Sequence, residues 1–321
     1  MWTPWASVLL VGLGGVQLHA QERGGETREP IIDAHWHTTL SPGDSRAQQA
    51  VARRRDAIRT MDSLGVRHVL VIGTPDLLAV WRHELGSRAI PALLFPCEGG
   101  RAVNFGRQCF PGGAEFPDTA WLRSEIKAGR IKGLGEITAQ YLGMGPNHPR
   151  LEPYYALAEE LDVPVLIHLG FGPPAAPYLS SPVPRKSPHF RAAAGSPLLL
   201  EDVLLRHKRL RVLVMHAGWP LIDEMIAILY YHPQVYVDLA GLPSSLVPRA
   251  TYDATLRRLV DAGLVDRIMF GSDGTENGVD WLLDGIDAVM EASSISDSQR
   301  RSILYGNAAR FFRLDSTTAR R

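Results

Sequence analysis

The stretch Ile31-Ile32-Asp33-Ala34-His35-Trp36-His37 is a short apolar strand that ends in two histidines one residue apart. On an extended strand successive side chains point to opposite faces, so His35 and His37 share a face, about 6.6 Å apart for a rise of ~3.3 Å per residue. Two imidazoles on one face can converge on one cation. Four later apolar runs end in residues of the same chemical kind: Glu136, His168, His216 and Asp273. Asp33 lies on the face of the two histidines, one step inward, where a buried carboxylate needs hydrogen-bond partners. Trp36 points the other way, into packing.

From residue 30 onward strand-like runs alternate with amphipathic helical stretches. The strands read at 30–37, 68–73, 89–95, 131–137, 163–169, 210–216, 235–240 and 267–272. Helical periodicity falls between them, for example at 46–64, 119–128, 153–161, 198–207, 221–230 and 255–262. Such alternation makes βα units and a parallel sheet. Eight strands, with no Gly-rich dinucleotide fingerprint after the first, predict a single α/β domain, a (β/α)8 TIM barrel, rather than an open doubly wound sheet. The runs Val163-Pro164-Val165-Leu166-Ile167 and Val212-Leu213-Val214-Met215 are apolar on both faces, as buried parallel strands are. The polar strand ends then gather at the C-terminal mouth, where such barrels build their sites. Two connections are long, 96–117 and 171–195, the second carrying Pro173, Pro174, Pro177, Pro182, Pro184 and Pro188. Loops of that length serve as walls or lids.

The chain has 321 residues, 45% hydrophobic and 21% charged, which supplies a large core; Lys plus Arg balances Asp plus Glu at 34 each. That balance leaves no overall field to attract nucleic acid. Residues 1–20 read as a secretory signal cleaved after Ala20, followed by a linker at 21–29, the barrel at 30–314 and a tail at 315–321. The apolar part of the leader is shorter than the ~20 residues a spanning helix needs. The expected product is an exported, periplasmic or secreted protein with no stable membrane anchor after cleavage. In an oxidising compartment Cys97 and Cys109, both within 96–117, can form one local disulfide; two free thiols are the alternative.

A lone histidine at a strand end reads most simply as a hydrogen-bonded structural residue. Six polar residues at five strand ends read differently, because desolvating them without partners is costly. Imidazole nitrogen and carboxylate oxygen suit a divalent metal, zinc first, with manganese or iron also compatible.

The set Asp33-x-His35-x-His37, the histidines ending strands five and six, Gly271-Ser272-Asp273 and the closing Tyr305-Gly306-Asn307-Ala308-Ala309-Arg310-Phe311-Phe312 resembles the amidohydrolase superfamily. The nearest likeness is to its amidohydrolase-related branch, which includes aminocarboxymuconate-semialdehyde decarboxylase and related lactonases; it runs from about residue 31 to 312. The resemblance implies that His35, His37, His168 and Asp273 hold the ion. It makes His216 the general acid/base or the polariser of the substrate, and Asp273 the group that takes a proton from the attacking water. One stretch departs from that branch: Gly133-Leu134-Gly135-Glu136-Ile137 resembles TatD-type binuclear hydrolases. If Glu136 bridges two ions, His168 and His216 move to the second; otherwise Glu136 hydrogen-bonds a ligand histidine. Lys132 lies about two layers deeper on the same strand face, too far for a carbamylated-lysine bridge.

The expected function is a metal-dependent hydrolase of an amide, ester or lactone. Alternatives are a metal-dependent decarboxylase of a small unsaturated acid and a non-catalytic metal- or ligand-binding barrel. The partner is a small-molecule substrate, carboxylate-bearing if Arg101, Arg107, Arg185, Lys186 or His189 face it; solvated loop charge is the other reading of those residues. A homo-oligomer is compatible with the fold.

Overall fold

In the computed structural model, residues 29–39, 47–102, 108–172, 174–178, 187–244 and 247–314 are described. The expected leader, the linker apart from Glu29, and the tail lie outside these residues, as do Arg107, Arg185 and Lys186.

Nine strands form one parallel sheet: β1 (Ile31–His37), β2 (Val66–Gly73), β3 (Ala89–Phe95), β4 (Gly133–Ile137), β5 (Val165–His168), β6 (Val212–Met215), β7 (Val235–Asp238), β8 (Ile268–Met269) and β9 (Gly274–Thr275). Their order is β8-β7-β6-β5-β4-β3-β2-β1-β9, so each strand through β8 lies beside its sequence neighbour. β8 pairs with β7 and β9 pairs with β1, yet only residues 270–273 separate them. Those residues bond to β1 as well: the Ala34 amide donates to the Phe270 carbonyl at 3.0 Å, and the Asp273 amide to the His35 carbonyl at 2.8 Å. Consecutive residues thus join the two outer edges of the sheet, which fits a (β/α)8 barrel.

The eighth strand is shorter and more broken than the 267–272 expected. Gly271 brings its backbone so near β1 that a Cβ there would stand 2.8 Å from the His35 Cβ. Asp273 adopts a φ of 59°, outside strand geometry and tolerated by aspartate. The break turns the Asp273 side chain toward β1.

The principal helices are α1 (Ala47–Leu64), α2 (Pro75–Leu85), α3 (Thr119–Lys127), α4 (Glu152–Leu161), α5 (Glu201–Arg206), α6 (Ile222–Tyr231), α7 (Arg249–Asp261) and α8 (Asp280–Glu291). α7 begins ahead of the expected 255, directly after Pro248, whose fixed φ suits the position before a first turn. The apolar pattern had marked chiefly the packed part, where Thr255, Leu256 and Leu259 are buried. The expected helix at 198–207 is a 3-10 turn, Pro197–Leu200, that runs into the short α5.

The core lies between sheet and helices. β5 and β6 are buried along their whole length, as their apolar runs require. Trp36 points outward from β1, fully buried, with its ring centroid 6.0 Å from that of Trp81 on α2. Burying an aromatic of this size contributes roughly 2–3 kcal/mol. A Cys97–Cys109 disulfide ties the connection after β3. Among the described residues no helix is long and apolar enough to cross a membrane.

Candidate metal centre

Each strand that carries a polar end delivers it to the same pole of the sheet. Alternation on β1 places His35 and His37 together, and their Nε2 atoms approach to 3.2 Å. Asp273 Oδ1 stands 3.1 Å from His37 Nε2 and 3.5 Å from His35 Nε2. Ligand atoms about 2.0–2.1 Å from a tetrahedral ion stand about 3.3 Å from one another, so this triangle has the edge lengths of a metal-binding face. A second set of potential ligands shares His35 and adds Glu136 and His216.

Glu136, at the end of β4, sits between the groups. Its Oε2 lies 3.4 Å from His37 Nε2, while its Oε1 lies 3.6 Å from His216 Nε2 and accepts a 2.6 Å hydrogen bond from His168 Nδ1. The other ring nitrogen of His168 bonds to the Phe171 carbonyl. Both nitrogens of His168 therefore face acceptors, and in this arrangement His168 holds Glu136 instead of entering either three-residue group.

The surrounding bonds set which ring nitrogen points inward. His35 Nδ1 bonds to Asp238 Oδ2 at 3.1 Å, and His216 Nδ1 to the Ala240 carbonyl at 2.8 Å. With Nδ1–H donated outward, each Nε2 would give its lone pair to a cation that displaces the second ring proton. Asp238 also accepts the backbone amides of His216 at 2.8 Å and Ala240 at 3.1 Å through Oδ1. Asp33 accepts the His35 amide at 3.0 Å, the Ser272 amide at 3.0 Å and the Ser272 hydroxyl at 2.6 Å, which locks β1 to residue 272.

The electrostatics follow from three buried carboxylates, Asp33, Glu136 and Asp238, and the partly buried Asp273, packed among four imidazoles. Burial works to lower the His35 pKa, but Asp238, Asp273 and Glu136 outweigh it and raise it to about 10. Burial likewise opposes a charged His216, and the contact with Glu136 leads the forces that raise it nonetheless. For Glu136 burial pushes upward, and His168, His216 and His37 hold it well below the usual carboxylate range. Asp273 is lowered against burial by His35, His37 and His216. At Asp33 burial wins over its hydrogen bonds and lifts the carboxyl to about 6. A pocket this negative, with ring nitrogens and carboxylate oxygens at ligand-to-ligand spacing, fits a divalent cation.

All six expected site residues, His35, His37, Glu136, His168, His216 and Asp273, thus lie in one cluster. Asp238 belongs to it too and was missed, although Val235-Tyr236-Val237-Asp238 ends an apolar run as the others do. Over the centre, the Phe171 ring packs 4.9 Å from His216 and the Tyr141 ring 5.0 Å from His168, centroid to centroid. Gly241 matters here: a Cβ on it would come within 2.9 Å of Asp273 Oδ2. Arg101 and His189 are exposed.

Solved structures share the fold. A probable 2-pyrone-4,6-dicarboxylic acid hydrolase from Acinetobacter baumannii, with citric acid bound, is 16% identical; the match covers 88% of this chain and 99% of that one with a TM-score of 0.59. A 5-carboxyvanillate decarboxylase from Novosphingobium aromaticivorans, complexed with manganese and 4-hydroxy-3-methoxy-5-nitrobenzoic acid, is 16% identical over 91% of this chain and 98% of that one, at a TM-score of 0.56. A 4-oxalomesaconate hydratase from Rhodopseudomonas palustris is 14% identical over 90% and 97%, again at 0.56. No curated protein matches the sequence. The family model described as Amidohydrolase matches residues 32–314, a span that takes in every member of the cluster, and the chain belongs to the amidohydrolase family.

Proposed function

We propose that this protein is an exported metal-dependent hydrolase that cleaves an amide, ester or lactone bond in a small, carboxylate-bearing molecule. The observation that carries the reading is the placement of Glu136, with Oε2 toward His37 and Oε1 toward His216. A carboxylate whose two oxygens face two ligand groups suits a pair of ions, as its likeness to TatD-type hydrolases implies, and paired ions suit hydrolysis. His35, His37 and Asp273 would hold one ion, and Glu136 with His216 would reach the other; zinc fits the donors best, with manganese or iron as substitutes. Such a metal, when bound, polarises the scissile carbonyl and acidifies the attacking water.

The chain's own groups do the remaining work. The Asp273 side chain is 15% exposed, while His35, His37, Glu136, His168 and His216 are at most 6% exposed, so Asp273 is the group that substrate and water reach. Its carboxylate accepts the proton of the attacking water. Asp273 then passes that proton to the leaving group, while His216, oriented by Ala240, keeps Nε2 turned to the same space as a ligand. Phe171 and Tyr141 form an apolar wall that excludes bulk water. The leader at 1–20 and the Cys97–Cys109 disulfide support export.

A second reading, decarboxylation, is favoured by the completeness of the His35–His37–Asp273 triangle as a one-ion site. Elemental analysis of protein purified without chelator separates the two. About two ions per chain, with turnover on a lactone and ester panel, supports the hydrolase. One ion per chain, with carbon dioxide released from aromatic or unsaturated acids, refutes it.

A further inference from the structure

The end of the sheet opposite the metal centre carries a second constellation. His68 opens β2, opposite Ile32 at the start of β1. Lys132 precedes β4, and Arg211 precedes β6. Together with Ile90, Pro164 and Leu314 they line a cavity of about 480 Å³. His68 is 6% exposed, and its Nδ1 is buried with no hydrogen-bond partner among the described residues. Buried ring nitrogens nearly always have a partner, and this one has none from the protein among the described residues.

The surroundings specify the acceptor's charge. Arg88 stands beside His68 but is bound to Asp62 at 2.7 Å and to the Val66 carbonyl at 2.8 Å. Arg211 and Arg313 both pair with Asp162, which uses up the one carboxylate on the cavity wall. Lys132 is left without an ion pair among the described residues. Burial, with the positive charges of Arg88 and Lys132 added, lowers the His68 pKa. A cavity with a surplus ammonium, an unsatisfied ring nitrogen and, among the described residues, no uncommitted carboxylate is complementary to an anion.

We propose that the N-terminal pole of the sheet is a second binding site, for a small oxyanion whose phosphate or carboxylate group is held by the Lys132 ammonium and the His68 Nδ1–H. The site stands apart from the metal centre, at the other ends of the strands, and does not depend on the reaction assigned to that centre.

The test follows the side-chain resonances of His68 by long-range proton–nitrogen NMR at low ionic strength, with inorganic phosphate and acetate as separate probes. The His68 signals are assigned by their loss in His68→Gln. Reading the His68 ring itself keeps any anion bound at the metal centre out of the result. A saturable shift is expected, weakened about tenfold in Lys132→Met, the loss of one charge-assisted contact, and retained in Lys132→Arg. The probe that saturates at lower concentration tells whether phosphate or carboxylate is the preferred group. Lys132 is exposed and lies outside the catalytic cluster, so its variants fold, and His68→Asn supplies the assignment if His68→Gln does not fold. No shift, a shift reproduced by sodium chloride at equal ionic strength, or the same affinity in Lys132→Met would each overturn the proposal.

Discussion

Replacing Asp238 by asparagine separates the role of its charge from its role as a brace. Its Oδ1 accepts the amides of His216 and Ala240 at 2.8 and 3.1 Å, and its Oδ2 faces His35 Nδ1 at 3.1 Å. Asparagine keeps the first pair of bonds if its carbonyl oxygen takes the Oδ1 position, because two N–H donors fix that orientation. Its amide nitrogen then faces His35 Nδ1 and can only donate, so His35 must place its proton on Nε2. The lone pair offered to the metal is lost, while folding is nearly untouched. The loss of such a partner costs roughly 10–100-fold in metal affinity, about 1.4–2.8 kcal/mol. Asp238→Ala instead strands three buried donors at about 1–3 kcal/mol each and should lower the melting temperature sharply. The assay is zinc competition against a chromophoric chelator, run beside thermal melts by circular dichroism. An Asp238→Asn protein that melts like wild type and binds zinc equally well would refute the assigned tautomer.

Gly170→Ala should destabilise the fold by roughly 2–3 kcal/mol in urea titration, since φ is 78° there and a Cβ would meet the Gly218 carbonyl oxygen at 2.4 Å. A cost below 0.5 kcal/mol would contradict the close approach of those loops. Removing the disulfide with Cys97→Ala and Cys109→Ala together should cost about 2–3 kcal/mol, given the 12-residue separation, and make the variant's stability indifferent to reductant. Acidification should weaken the contact between α4 and α5. The Arg209 backbone amide, with His207, keeps Glu159 below its ordinary 4.5; at Glu152, Arg206 and His207 do so against burial. Carboxylates depressed in the folded state contribute stability above the unfolded value, and that stability disappears as pH falls below about 4.5 through the folded values. Melting temperature should therefore drop between pH 5 and 3, and less steeply in Glu152→Gln with Glu159→Gln; parallel curves would rule the contribution out.

Much of the site was legible because two local rules coincide at it. A strand alternates its faces, which put His35 beside His37, and a buried parallel strand tolerates polar residues only at its end, which marked Glu136, His168 and His216. Asp273 stood out through Gly271-Ser272-Asp273 and Asp33 through its place on β1. Asp238 was legible by the same rule and was passed over because its strand was read on to residue 240, placing the aspartate mid-strand instead of at the end. The length of α7 escaped because only its packed turns show periodicity; its first turn is set by Pro248.

The sequence by itself determined the alternation of strands and helices, the parallel order of the sheet and the identity of the residues at its C-terminal pole. These are consequences of short-range geometry, of burial and of connections that join neighbours. Only the tertiary structure decided how those residues divide. It turned both nitrogens of His168 to acceptors, pointed the two oxygens of Glu136 at different histidines and used Asp238 to fix the tautomer of His35. Those choices depend on contacts between groups up to 203 residues apart, such as His35 with Asp238. Local periodicity carries no record of the direction in which a ring nitrogen faces.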